Sequence, residues 1–325
     1  MTGTAPRGGG RRRVVSALKD TTAFSYARKA RGALMSLALR SDTMAAILGR
    51  AHLLRLEIPG SPPSAQDRPR WGYGNPSHAR LSDILARGDG EYRGVLEGFA
   101  EYSDALHAIP LAQTDPREPH WLCGFLFGLD GVSLYSFIRE RKPRRYMEIG
   151  SGNSTLFVDR ARRDGAIDMQ ITSIDPRPRR DIDAICDRVI REPLEVADLG
   201  IFSELEAGDV VFMDGTHRVF MNSDAVVFFM DVLADLPPGV LVGVHDIHLP
   251  DDYRPVETKR YYSEQYLLAA YLLAEADWLR PVLPCWYISH HQALGDLSRS
   301  LAPAAIEGRG LIFWMQTEQR GERSR

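Results

Sequence analysis

The chain has 325 residues, of which 44% are apolar and 26% charged, with a formal net charge of −3. That balance reads as an ordinary soluble globular protein. The longest apolar stretch, residues 32–56, is broken by Arg40, Asp42, Arg50 and Arg55, which excludes a bilayer span of the usual ~18 residues.

Residues 1–13 are rich in Gly and Arg, and such a composition orders no core of its own, so a flexible basic tail is expected. No compact apolar core follows Arg11 to Arg13, so the start is a poor secretory signal and a cytoplasmic location is expected. Residues 1–50 hold ten Lys/Arg against two Asp/Glu, and the remaining residues hold thirty against forty-one. A solvated basic arm on a mildly acidic body is the commoner meaning of that asymmetry. Cys123, Cys186 and Cys285 are too scattered for a CxxC pair or a disulfide framework, and they read as small buried apolar residues.

Residues 14–132 read as a helical segment. One or two short helices are expected before Leu56, then an irregular loop over 59–76, where five prolines and three glycines fall. After it, Leu81, Ile84, Leu85 and then Tyr92, Val95, Leu96, Phe99, Tyr102 and Leu106 recur at three- and four-residue spacing. That predicts about two helices with a break near Gly88 to Gly90.

Residues 133–325 change character. A helix over Ser133 to Arg141 is stopped by Pro143, and short apolar runs then alternate with helical segments. The runs are Arg145–Ile149, Gln170–Ile174, Asp209–Met213 and Val240–Val244, the signature of βαβ units and a parallel sheet buried on both faces. Two later runs, Pro281–Ile288 and Gly310–Met315, are expected to close the sheet after a helix over Gln265 to Ala276. The fold class is therefore α/β, a doubly wound, mostly parallel sheet of seven strands with an N-terminal helical segment. Trp278, Trp286, Tyr287 and Trp314 read as core rather than as a substrate platform.

In an open parallel sheet, ligands sit outside the carboxyl ends of the strands. At the first end, Glu148-Ile-Gly150-Ser151-Gly152-Asn153-Ser154-Thr155, the glycines allow a tight turn and the following helix offers its positive end. At the second end, Asp175 stands twenty-three residues after Gly152, the distance at which a carboxylate can accept from ribose hydroxyls. Together the two ends predict an adenosine ligand. A dinucleotide fingerprint wants a third glycine, where this chain has Thr155.

The ExGxGxST pattern resembles the first motif of class I S-adenosylmethionine-dependent methyltransferases. The later ends, Asp214-Gly-Thr-His217 and His245-Asp-Ile-His-Leu-Pro250, with Glu264-Gln-Tyr-Leu-Leu268 downstream, are similar to the DGSH, HDIFLP and EQYLL motifs of one branch, which includes metal-dependent macrolide sugar O-methyltransferases. The resemblance covers about residues 134–315. It implies a Rossmann-like methyltransferase fold with S-adenosylmethionine held by Glu148, Gly150, Ser151, Gly152, Asn153, Ser154, Thr155, Asp175 and Asp214.

It also implies a divalent cation such as magnesium at Asp214 and Asp246, with His217 as the base beside Asp214. Two carboxylates at neighbouring strand ends repel unless one is protonated or a cation bridges them. His245 stands where that branch has a glutamate, which makes the third candidate ligand a nitrogen and leaves the oxygen shell of magnesium incomplete. His248, His290 and His291 are weaker candidates. Transfer to oxygen is expected, because nitrogen-methylating DNA and RNA enzymes usually carry an Asn/Asp-Pro-Pro-aromatic turn where this chain has Asp214-Gly-Thr-His217. The expected partner is a small-molecule acceptor, sugar or natural-product-like; a homo-oligomer is compatible and nucleic acid is not expected. A cofactor-binding scaffold without transfer, or a nicotinamide-dependent oxidoreductase, are the alternative readings.

Overall fold

The structure is a computed structural model that describes residues 69–320 except 259. The basic tail, the helices expected before Leu56 and the first part of the 59–76 loop lie outside the described residues. Among the described residues, three helices come first, α1 (Ala79–Ala86), α2 (Asp89–Phe99) and α3 (Ser103–His107), followed by α4 (Gly128–Arg141). Next come β1 (Arg145–Ile149), α5 (Asn153–Asp164), β2 (Gln170–Ile174), β3 (Arg188–Ile190), β4 (Val210–Met213), α6 (Asp224–Val227) and β5 (Leu241–Val244). The chain continues through α7 (Pro255–Thr258), α8 (Gln265–Leu273), β6 (Leu279–Pro284), α9 (Cys285–His290), α10 (Gln292–Leu301) and β7 (Phe313–Thr317).

The seven strands lie in the order β3-β2-β1-β4-β5-β7-β6. The first five are parallel, and β7 inserts antiparallel between β5 and β6. This is the doubly wound, mostly parallel, Rossmann-like seven-stranded sheet that the sequence predicts. Alternation along each strand feeds two cores. Tyr146, Val210, Phe212, Leu241 and Trp314 pack on one face with α2, α4 and α5. Met147, Ile149, Val211, Met213, Val242, Val244 and Met315 pack on the other with α8. Such double burial is why the runs read as continuous apolar stretches rather than alternating ones. Gly243 has a packing reason: a Cβ there would fall 2.6 Å from the Trp314 ring and 2.9 Å from Phe212.

Three departures from the expected elements have physical causes. Helix α4 starts at Gly128, before Ser133, because Asp130 Oδ2 accepts the Phe127 N–H and caps the first turn. Gly131 within that turn is demanded by the Trp121 and Phe157 rings, which a Cβ would meet at 2.8 and 2.9 Å. The run Pro281–Ile288 is strand only to Pro284; Cys285 onward is helix, and a fully buried apolar run carries no period to tell the two apart. Strand β7 begins at Phe313 rather than Gly310, because Asp130 Oδ1 accepts the N–H groups of Leu311 and Ile312 and Ser289 Oγ accepts that of Gly310. Edge strand β3, three residues long and half exposed, carries too little pattern to read from sequence. No helix among the described residues is long and apolar enough to cross a membrane.

Candidate functional site

The carboxyl ends of β1, β2, β4 and β5 converge on one side of the sheet. At the β1 end the Asp214 N–H donates to the Ile149 carbonyl at 2.8 Å, and the Gly150 N–H donates to the Ile174 carbonyl at 3.0 Å. The turn is thereby wedged between β2 and β4. Gly150 has φ +77°, and a Cβ there would sit 1.9 Å from the Asp214 carbonyl oxygen, so no other residue fits. Gly152 is less constrained, since its Cβ would meet only the Arg179 and Arg180 side chains at 3.7 and 3.9 Å.

Glu148 does not reach the cleft. It is fully buried beneath the turn, where Oε2 accepts from the Thr155 hydroxyl at 2.5 Å; that hydroxyl in turn accepts the Gly152 N–H at 3.0 Å. Its role is to pin the start of α5 from below. Burial pushes its carboxyl up to about 8, opposed by the hydroxyls of Ser154 and Thr155. Asp175 does face the cleft. Its Oδ2 accepts from Ser151 N–H and its Oδ1 from Arg177 N–H, both at 2.7 Å, which leaves one acceptor position on each oxygen.

The resulting cleft, about 240 Å³, is lined by Gly150, Ser151, Asp175, Leu194, Glu195 and Asp214 among others. A narrow recess beside it is lined by Ser151 to Ser154, at the start of α5, with Phe125 and Arg179. A second pocket of about 160 Å³ lies beyond, walled by Phe125, Phe127, Tyr262 and Leu311 and floored by Asp214, His217, His245 and Asp246. Asp214 and Arg179 line all three spaces. The Arg179 guanidinium lies 4.9 Å over the Phe125 ring.

The floor of the second pocket is a buried cluster of charge. His217 Nδ1 bonds Glu264 Oε1 at 2.6 Å, and its Nε2 stands 3.3 Å from both Asp214 Oδ1 and Asp246 Oδ2. His245 Nδ1 is 3.3 Å from Asp214 Oδ1 and 3.8 Å from Asp246 Oδ1, while its Nε2 is 3.6 Å from Asp130 Oδ2. Neither ring nitrogen of His245 makes a hydrogen bond. His217 and Asp246 are held at φ +62° and +57°, left-handed conformations that cost roughly 1–3 kcal/mol each and persist only where the surroundings impose them. Contacts that hold the turn at His217 are visible: Ser263 N–H donates to the His217 carbonyl at 2.8 Å, and Asp224 accepts from both the N–H and the hydroxyl of Thr216 at 2.6 Å.

Burial works against charge on both imidazoles, but Glu264, Asp214 and Asp246 hold His217 well above its ordinary value, and Asp246 and Asp214 do the same for His245. Burial likewise pushes Asp214 up, and His245 and His217 overcome it, keeping the carboxyl far below the usual range. His248 is different. Burial, with Arg254 nearby, pushes it down to about 3, so it stays neutral among Trp286 and Tyr253.

Magnesium takes an octahedral shell of oxygens at about 2.0–2.1 Å. Here two buried imidazoles share the floor with two carboxylates, so the residues do not fit the magnesium that the sequence resemblance implies. Asp214, His217 and Asp246 present one ligand atom each, all within 4.8 Å of one another. Two participants escaped the sequence reading. Glu264 was visible only as part of a motif, and Asp130 sits on a helix that begins before the expected one. His290 and His291 stay away from the site, the His290 ring packed against Trp286 with centroids 4.0 Å apart.

No protein-family model and no curated protein matches the chain. Among solved structures it is similar to the Podospora anserina methyltransferase PaMTH1 bound to SAH, at 13% identity over 77% of this chain and 100% of that one, with a TM-score of 0.37. It is similar to the plantazolicin methyltransferase BpumL in complex with SAH, at 12% identity over 74% of this chain and 96% of that one, with a TM-score of 0.38. A third likeness, at 12% identity over 86% of this chain and 79% of that one with a TM-score of 0.39, is to the branched-chain polyamine synthase from Thermus thermophilus in complex with N4-aminopropylspermidine and 5'-methylthioadenosine.

Proposed function

We propose that this chain is an S-adenosylmethionine-dependent methyltransferase acting on a hydroxyl oxygen of a small molecule. The observation that carries the reading is the meeting of two pockets at Asp214: an adenosine-type cleft built from the glycine turn and Asp175, and a second pocket floored by a histidine base. Asp175 would hold the ribose hydroxyls, Leu194 and Glu195 would border the adenine, and Ser151 to Ser154 with Arg179 would surround the methionine part. The start of α5 favours that part's carboxylate there. When bound, S-adenosylmethionine supplies a methyl group on a positively charged sulfur.

The chain's own contribution is alignment and proton removal. Phe125, Phe127 and Tyr262 confine the acceptor so that its hydroxyl faces the junction at Asp214, which converts an encounter into an oriented near-attack arrangement. Once deprotonated, His217 takes the hydroxyl proton on Nε2 as the oxygen–methyl bond forms, and Glu264 on Nδ1 fixes the tautomer that puts the lone pair on Nε2. The Tyr262 ring packs against the imidazole, tilted by 40°, with centroids 4.4 Å apart. No step passes through magnesium.

The test is incubation of the purified protein with methyl-labelled S-adenosylmethionine and a panel of hydroxylated sugars and polyketide-like acceptors. Label transferred to an acceptor oxygen supports the reading, and tight S-adenosylhomocysteine binding with no transfer across the panel would favour a cofactor-binding scaffold.

A further inference from the structure

We propose that the acceptor is a compact hydroxylated molecule that carries an anionic group, a carboxylate or a phosphate, and that Arg260 and Arg179 hold this group while the hydroxyl points down to His217. The inference rests on the proposed function and deepens it, because it names the class of molecule that the second pocket takes.

The first ground is a matching of charges around that pocket, which three arginines line: Arg179, Arg254 and Arg260. Arg254 is already neutralised. Its Nε donates to the two oxygens of Glu257 at 3.0 and 3.1 Å, and Glu257 is itself buried. Arg179 and Arg260 have no carboxylate within ion-pair distance among the described residues. Both are nevertheless placed. The Phe125 ring lies 4.9 Å from the Arg179 guanidinium; such stacking occupies the face of the group and leaves its edge of N–H donors for an anion. Arg260 is fixed through its backbone, whose N–H donates to the Glu257 carbonyl and whose carbonyl accepts from Arg218 Nε, both at 2.8 Å. The same turn carries Tyr262, whose N–H donates to the Glu257 carbonyl at 3.2 Å and whose ring packs on His217. One turn therefore brings an aromatic wall and an unmatched cation to the same pocket.

The second ground is where the signs fall. Asp214 and Asp246 lie at the floor with the two buried imidazoles, and the buried carboxylates of Glu264 and Asp130 stand behind them. Arg179 and Arg260 are exposed, at the rim. An anion is repelled at a floor with four carboxylates to two imidazoles and attracted at the rim, so the pocket orients its guest hydroxyl first. The body between the two ends meets Phe125, Phe127, Tyr262 and Leu311 in a space of about 160 Å³, which suits a single ring better than a large polyketide. Arg179 also borders the cofactor spaces, so Arg260 is the residue that distinguishes one acceptor from another.

The experiment is a calorimetric titration of the full chain loaded with S-adenosylhomocysteine, using matched pairs of probes. A dihydroxybenzoate is compared with its methyl ester, and a hexose phosphate with the parent hexose, so the two pairs separate carboxylate from phosphate. We expect the charged member of at least one pair to bind about 10-fold more tightly, the low end for a charge-assisted hydrogen bond because Arg260 keeps contact with water. That advantage should shrink in high salt. Arg260→Gln should abolish it while leaving the neutral member's affinity, S-adenosylhomocysteine affinity and the circular dichroism spectrum unchanged, and Arg260→Lys should retain part of it. Equal or tighter binding of the neutral member in both pairs, no binding of any probe, or an advantage that survives Arg260→Gln would overturn the inference and leave the methyltransferase reading standing. Failure of a folded chain to bind S-adenosylhomocysteine would remove that reading instead, and the same titrations on the unloaded chain would still decide whether the second pocket takes an anion.

Discussion

The two pockets that meet at Asp214 are built in opposite ways. The proposed cofactor cleft relies on backbone: a left-handed glycine pressed against a carbonyl, N–H groups bonded to Asp175, and one half-exposed carboxylate at its edge. The proposed acceptor pocket relies on buried side-chain charge, with two imidazoles among Asp130, Asp214, Asp246 and Glu264. The difference teaches where each function is vulnerable. Under the proposed function, shape and backbone would set binding, so single side chains there would cost affinity, whereas the cluster would set the proton transfer, so single side chains there would cost rate.

The largest effect expected is on rate. His217→Ala should lower turnover by about 10²–10⁴-fold, the usual contribution of a positioned base, with S-adenosylhomocysteine affinity unchanged by calorimetry. The pH profile sharpens the point. A base must be uncharged to act, and His217 is held above its ordinary 6.5, so activity should rise with pH through an apparent value above 6.5 and fall as pH drops through it. Glu264→Gln removes the largest cause of that rise and should move the limb to lower pH. A profile flat from pH 6 to 9 would place the proton acceptor elsewhere.

Next come the binding effects. Gly150→Ala puts a Cβ against the Asp214 carbonyl and should weaken S-adenosylhomocysteine by roughly 100-fold or more, about 2.7 kcal/mol; an isotherm like that of the unsubstituted chain would mean the turn is not the cofactor's cradle. Asp175→Ala removes a charged acceptor and should cost about 1.5–3 kcal/mol of cofactor binding, and a loss below about threefold would show that the ribose is held by another group.

The smallest binding effect belongs to Glu148, which tests whether an acid inside the first motif must touch the ligand. Glu148→Gln should change S-adenosylhomocysteine affinity by less than about threefold. Its signature is in stability instead. Because the folded carboxyl sits at about 8 against an ordinary 4.5, the unfolded chain releases its proton first, so stability falls as pH rises between those values. Melting temperatures across that window should fall more steeply for the unsubstituted chain than for Glu148→Gln, and parallel curves would contradict the buried, proton-holding role.

The same contrast decides how much is legible in the sequence. Gly150, Asp175, Asp214 and Asp246 are legible because each stands at the end of an apolar run, and a parallel sheet presents the residues just past its strands at the ligand edge. The bounds of β1 and β2 match the apolar runs for the same reason. Glu264 and Asp130 are not legible as partners. Glu264 lies 47 residues from His217, and Asp130 holds backbone groups 181 and 182 residues away, distances over which no local pattern carries. Glu148 shows the converse: its motif is clear, but which face of β1 it occupies is decided by packing under α5.

The central claim is that the glycine turn and Asp175 form an S-adenosylmethionine cleft, and calorimetric titration of the purified chain with S-adenosylhomocysteine and, separately, with NAD tests it most directly. Saturable one-to-one binding of S-adenosylhomocysteine with no heat from NAD is the predicted result; binding of NAD alone, or of neither ligand by a folded chain, would contradict it.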